Sequence, residues 1–269
     1  MNDSPGLLAQ DLRKVFFPRT VSEVVALNDL SLQVDPGEFV TVIGSNGSGK
    51  TTLLNAIAGT VPVTAGTVWL EGTDITRLSE HKRARSIGRV FQDPRAGTAP
   101  SMSIQENMAM AYLRGKRRGL RRGVPSKLRR EMKERLAELG MGLETRLNTQ
   151  VSKLSGGQRQ ALSLLMATVA EPRLLLLDEH TAALDPKVAA KIMHLTGKIV
   201  DKHRLTTLMV THNMEIALNW GNRLIMMHLG RVILDVSGTE KNALTIADLV
   251  RKFHEVSGET LAVDRMLLE

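Results

Sequence analysis

The residues best equipped for chemistry are Gly44, Ser45, Asn46, Gly47, Ser48, Gly49, Lys50, Thr51 and Thr52. They fit the pattern G-x-x-x-x-G-K-[ST]. They follow an apolar, β-rich run, Phe39 to Gly44, and precede helical spacing from Lys50 to Ala58, which is the setting such a loop requires. Gly44, Gly47 and Gly49 allow the backbone to curl so that its N–H groups point inward. The helix that follows adds its positive end, so a polyphosphate finds donors without a cage of counter-ions. On this reading Lys50 reaches the outer phosphates of a nucleotide and Thr51 offers its hydroxyl to Mg²⁺. The competing reading is a Gly-rich strand-to-helix turn with an incidental lysine. The loop specifies a nucleotide but not a task.

Two further groups of residues suit the same chemistry. Asp178 ends the run Leu174 to Leu177, which places it at the carboxyl end of a buried strand, where ligands bind in open α/β sheets. It would hold Mg²⁺ directly or through water, and Glu179 follows it; the alternative is a solvated strand end. Ser155, Gly156 and Gly157 open another helix with a hydroxyl and bare N–H groups, a second anion-accepting start.

The elements that must position these groups alternate. Residues 7 to 43 read as short strands, Thr67 to Leu70 and Ile87 to Phe91 as further strands. From Ser103 to Asn148 the spacing is helical (Met102, Ile104, Met108, then Leu128, Met132, Leu136, Leu139). After Gly156 the pattern runs helix from Gln158, strand Leu174 to Asp178, helix from Pro186, strand Thr207 to Thr211, helix from Asn213 and strand Leu224 to His228. Such alternation implies an α/β fold with parallel strands joined by crossover helices. Residues 237 to 269 read as a helical tail.

Composition narrows the classes. Of 269 residues, 42% are hydrophobic and 24% charged, which excludes collagen-like and disordered chains. There is no Cys, so disulfides, thiolate metal sites and Cys nucleophiles are out, and a reducing compartment is the simplest setting. The start MNDSPGLLAQDLRKVF lacks an export signal, and no apolar run approaches the roughly 20 residues of a membrane span. The net charge of +8 is concentrated between residues 114 and 135, where eleven Lys or Arg stand against Glu131 and Glu134. The remainder is close to neutral and stacking aromatics are scarce, so nucleic acid is not an expected partner. The basic segment reads as a solvated helical face. A sharper alternative is docking of Arg117, Arg118, Arg121 and Arg122 onto anionic lipid headgroups.

Leu154, Ser155, Gly156, Gly157 and Gln158 (LSGGQ), then LLLLDE at Leu174 to Glu179, TAALD at Thr181 to Asp185 and VTH at Val210 to His212 follow one another in the order that marks ATP-binding-cassette (ABC) proteins. The sequence resembles that family over most of its length. The resemblance implies a phosphate-loop ATPase core with an antiparallel β subdomain, residues 1–94 and 152–236, an inserted helical subdomain, 95–151, and the tail, 237–269. It implies that each ATP is sandwiched between the phosphate loop of one subunit and Leu154 to Gln158 of a second cassette, an identical copy in a homodimer. It further assigns Glu179 as the general base, His212 as the switch that contacts the γ-phosphate, Gln92 as the loop glutamine that touches Mg²⁺, Asp185 as a dimer-interface residue and Phe16 (or Phe17) as the ring that stacks on adenine.

The pattern departs from the commonest family sequence at His180, where proline is usual, and at Met166-Ala167, where arginine-alanine is usual. An imidazole at position 180 would titrate near neutrality and tune activity with pH; a plain loop substitution is the alternative. With FQDP at Phe91 to Pro94, AGTAPSM at Ala96 to Met102 and DEHTAALDP from Asp178, these departures resemble the ATPase subunits of bacterial importers linked to aromatic amino acids, tryptophan especially. The partners implied are two transmembrane permease subunits and an extracytoplasmic substrate-binding protein, with this chain peripheral on the cytoplasmic face of the inner membrane. A soluble cassette acting in assembly, repair or translation is the rival expectation, and a P-loop small-molecule kinase leaves LSGGQ and His212 unexplained.

Overall fold

The structure is a computed structural model that describes residues 4–116 and 124–257. In chain order it contains β1 (Leu7–Phe16), β2 (Val24–Val34), β3 (Phe39–Gly44), α1 (Lys50–Ala58), β4 (Ala65–Leu70), β5 (Thr73–Asp74) and α2 (Glu80–Arg83). These are followed by β6 (Ile87–Val90), α3 (Ile104–Tyr112), α4 (Ser126–Ala137), α5 (Gly156–Thr168), β7 (Leu174–Asp178) and α6 (Pro186–His203). The chain continues with β8 (Thr206–Val210), α7 (Met214–Asn219), β9 (Arg223–His228), β10 (Arg231–Ser237), α8 (Gly238–Ala243) and α9 (Ile246–Ser257). Packing divides the described residues into two compact units, one within Met1–Arg83 and Arg204–Glu269, the other Ala84–His203.

In the first unit an antiparallel sheet runs β2-β1-β4-β5. Along β2, Leu30, Leu32 and Val34 are buried while Asp29, Ser31 and Gln33 face water, the alternation of a sheet with one wet face. β3 is different. Phe39, Val40, Thr41, Val42 and Ile43 are all buried, and the strand pairs in parallel with both β8 and β9. A continuous apolar run with neighbours on both sides is what a central strand requires. The one polar group in it, Thr41, donates to the carbonyl of Ala217 at 3.0 Å.

β10 is a strand that the sequence pattern did not announce. It pairs antiparallel with β9 through the turn Leu229-Gly230, where both residues have positive φ, 45° and 76°. That geometry suits the twist of a tight hairpin. After β10 the chain forms α8 and α9, and Leu249 and Phe253 of α9 pack with Ile43, Met214, Leu224, Met226 and Val236. Residues 258–269 lie outside the described residues.

α1 leaves its last carbonyls to outside donors, as any helix must. Gly59, at φ 82°, caps it, and the buried Arg83 guanidinium donates to the carbonyls of Ala56 (2.7 Å) and Ile57 (2.8 Å) as well as those of Thr76 and Leu78. A cation at a helix C-terminus also complements its dipole.

In the second unit β6 and β7 pair in parallel, and Leu174 to Leu177 are fully buried. The helical part begins at Ser103, whose hydroxyl and the Glu106 carboxylate form a capping box on α3. Backbone bonds from Ile104 to Thr149 and from Val151 to Met102 hold the segment ahead of α5 against the start of α3. The basic run is not uniformly a solvated face. On α4, Lys127, Arg129, Arg130 and Lys133 are exposed while Met132 and Leu136 are buried. Arg114 turns inward and donates to the carbonyl of Ala167 at 2.8 Å. Arg117, Arg118, Arg121 and Arg122 lie outside the described residues. Among the described residues no helix is long and apolar enough to cross a membrane.

Candidate functional site: a phosphate loop and a paired-carboxylate strand end

In the first unit the loop between β3 and α1 is built for close backbone approach. A Cβ on Gly44 would lie 2.2 Å from the carbonyl oxygen of Met227, and one on Gly49 2.3 Å from that of Ala26, both at positive φ. No side chain fits either position. At Gly47, also at positive φ, a Cβ would meet nothing within 4 Å, so this crest of the loop is open to a ligand. The β9–β10 turn braces the loop from outside: the Gly230 amide donates to the carbonyl of Ser48 at 3.0 Å.

Lys50 begins α1 and is only 6% exposed. Its ammonium is held by the carbonyls of Gly44 (2.7 Å) and Ser45 (2.9 Å), so it is already aimed across the loop. Thr51 and Asn46 are exposed, Ser45 and Thr52 half-buried, and Ser48 is buried within the loop. His212 is exposed just beyond β8; the next residue, Asn213, caps α7 by accepting from the Ile216 amide at 2.8 Å. Phe16 ends β1 half-buried, with the Lys14 ammonium 4.9 Å from its ring centroid, and Phe17 is 65% exposed. Neither ring belongs to the core.

In the second unit the ends of β6 and β7 bring four polar side chains together. Asp178 is 8% exposed, and its carboxylate accepts from the Arg89 guanidinium at 3.3 Å. Glu179 adopts φ 43°, an uncommon conformation for a residue with a side chain and one that recurs where strain serves a site. Its carboxylate accepts from the Gln92 amide at 3.2 Å. Gln92 thus lies beside Glu179, and Arg89 is a neighbour that residue patterns missed. The only signal for it was a charged residue within the otherwise apolar Ile87–Val90.

The helix start at Ser155 is a capping box. The Ser155 hydroxyl accepts from the Gln158 amide (3.3 Å) while the Gln158 side chain accepts from the Ser155 amide (3.2 Å). The Ser155 hydroxyl is only an acceptor in this cap, and the amides of Gly156 and Gly157 sit in the first turn, where no intrahelical acceptor exists. Gly157 is required by packing, since a Cβ there would meet Val188 at 2.4 Å. Leu154 is buried and serves the core rather than the surface. Asp185 accepts from the Lys187 amide at 3.0 Å, capping α6 at its Pro186 start.

His180 overturns the expectation of a sensor near neutrality. The ring is 2% exposed, and its Nε2 faces the Thr196 hydroxyl at 3.1 Å. That hydroxyl already donates to the carbonyl of Ile192, so the imidazole is the donor. Burial pushes its pKa down to about 4, from an ordinary value of 6.5. The folded chain therefore favours the neutral ring. Its contribution to stability is complete above about pH 6.5 and is lost as pH falls toward 4. His180→Gln is expected to shrink the drop in urea midpoint between pH 7 and pH 5 while leaving the pH dependence of activity between 7 and 9 unchanged.

A family model for ABC transporters matches residues 27–182. The chain belongs to the ABC transporter family. It is 47% identical over 88% of its length to a tyrosine transport ATP-binding protein of Clostridioides difficile, covering 92% of that protein. It is 37% identical over 79% of its length to the phosphonates import ATP-binding protein PhnC of Frankia casuarinae, covering 85% of it. Among solved structures it resembles the dimeric, post-hydrolysis ATP-binding cassette MJ0796 bound to ADP and Pi, with TM-score 0.74 and 29% identity over 86% of this chain and 98% of that one. The phosphate-loop α/β fold, with one antiparallel and one largely parallel sheet, is the ABC ATPase fold, and the chain is an ABC-type ATP hydrolase.

Proposed function

We propose that this chain is the motor subunit of an importer for an aromatic amino acid, tyrosine being the first substrate to test. The similarity that carries the proposal is the 47% identity to a tyrosine transport ATP-binding protein across nearly the whole of both chains. The motif pattern had pointed to the same substrate class, with tryptophan foremost. On this reading two identical chains act beneath two permease subunits on the cytoplasmic face of the membrane, with an extracytoplasmic binding protein delivering substrate.

Each site residue then has a role. Gly44 to Thr52 bind the phosphates of ATP, Phe16 stacks on its adenine, and Ser155 to Gln158 of the partner copy close over the γ-phosphate. Glu179 is the general base and His212 orients the attacking water. Asp185 contacts the partner copy. Asp178 and Thr51 hold Mg²⁺ with Gln92, and these are the hard oxygen donors that ion prefers. Among the described residues no group of three His, Asp or Glu could hold a metal unaided. Bound Mg²⁺ neutralises charge that develops on the phosphates.

Energy conversion follows from the shared ligand. ATP joins two copies through contacts that include its γ-phosphate, and hydrolysis removes them, so the pair opens. A soluble cassette in assembly or repair has no comparable support. The deciding experiment is affinity purification of the tagged chain from gently solubilised membranes of its host, with mass spectrometry of its companions. A polytopic membrane protein among them supports the importer reading; recovery from the soluble fraction alone refutes it.

A further inference from the structure

Arg89 has no part in the roles above, yet its guanidinium is paired with Asp178. It lies on β6 opposite Leu176 of β7, one side-chain position short of Asp178 on the same face. The two side chains are 12% and 11% exposed, and their charged groups are 3.3 Å apart. Charges so far from water interact more strongly than surface pairs and are screened little by salt. The guanidinium also lies 4.6 Å from the centroid of the Phe91 ring, which gives it a second favourable neighbour on its own segment. Phe91 is held in turn by Gln160, whose amide donates to the Phe91 carbonyl at 3.2 Å.

We infer that Arg89 is a positioning residue that sets how strongly nucleotide binding depends on Mg²⁺, by standing as counter-cation to Asp178 when the metal is absent. The inference rests on the reading of Asp178 as a metal ligand. A bare buried carboxylate is costly, and one directed at phosphates would repel them. With Arg89 beside it, Asp178 is neutralised before any metal arrives, so ATP can enter without Mg²⁺ at a smaller penalty. When Mg²⁺ binds, it must share the carboxylate with Arg89, which weakens the gain from the metal. Both effects compress the difference between metal-free and metal-bound nucleotide affinity, and by linkage they limit the affinity for the metal itself.

The test is a pair of equilibrium titrations with a fluorescent, non-hydrolysable ATP analogue, one in EDTA and one in Mg²⁺, on the full chain. The quantity read is the ratio of the two Kd values. Arg89→Met and Arg89→Gln are each expected to raise that ratio roughly tenfold, within the usual range of coupling between sites. Arg89→Lys, which keeps the charge, should stay within about twofold of the parent. A purely structural role for Arg89 would weaken binding equally in both buffers and leave the ratio unchanged, and a folded Met or Gln variant that behaves so overturns the inference. Asp178→Asn separates the two layers of the argument. It should bring the ratio toward one; if it leaves the ratio at the parental value, Asp178 is not a metal ligand and the reading beneath the inference is what fails.

Discussion

Glu179→Gln is expected to lower steady-state ATP turnover roughly 10²- to 10⁴-fold, the span typical of removing a general base. The substitution changes little else. The new side chain has the same shape, it can still accept from the Gln92 amide that now lies 3.2 Å from the carboxylate, and it meets the same φ of 43°. Binding should therefore survive while chemistry stops. If hydrolysis is what separates two copies, the variant should accumulate as an ATP-bound pair, seen by size-exclusion chromatography with ATP and Mg²⁺ and absent with ADP. Parental turnover, measured as phosphate release, would remove Glu179 from the role of base. Loss of turnover with no ATP-dependent pairing would leave the base in place and remove hydrolysis as the step that opens the dimer.

Lys50→Ala acts one stage earlier. Lys50 is 6% exposed and its ammonium bridges the carbonyls of Gly44 and Ser45, so the side chain organises the loop as well as meeting the phosphates. Truncating one partner of a buried, charge-assisted contact costs about 2–5 kcal/mol, and ATP affinity should fall about a hundredfold or more. Isothermal titration with ATP and Mg²⁺ reads this directly. A change below about threefold would mean that the backbone amides and the start of α1 suffice to bind phosphate, and that Lys50 serves the free loop alone.

Much of this site was legible from residue order because its parts are local. The loop from Gly44 to Thr52 announces itself by a strand on one side, a helix on the other and glycines between them, of which Gly44 and Gly49 leave no room for a side chain, and Ser155 followed by two glycines reads as a helix start. β3, β7 and β8 were legible because a strand buried on both faces reads as an unbroken apolar run. β10 was not, since its residues are mostly half-buried or exposed and its turn, Leu229-Gly230, lacks the Asn-Gly or Asp-Gly of a recognisable hairpin. Arg89 and His180 failed for another reason. Arg89 finds its partner 89 residues away, and His180 meets Thr196 only through the packing of α6, so the chemistry of each side chain is decided by a neighbour that spacing cannot reveal.

The central claim is that each ATP is shared between the phosphate loop of one copy and the LSGGQ segment of another. Two inactive variants test it together: Lys50→Ala, defective in the loop, and Ser155→Arg, which places a bulky cation where Ser155 caps α5. Each alone should hydrolyse ATP at background rate. In an equimolar mixture, pairs containing one of each hold one site with both elements intact and one with both impaired. Phosphate release from the mixture should therefore rise well above that of either variant alone. A mixture as inactive as its components would place both elements on the same nucleotide within one chain, and the shared-ATP account would be wrong.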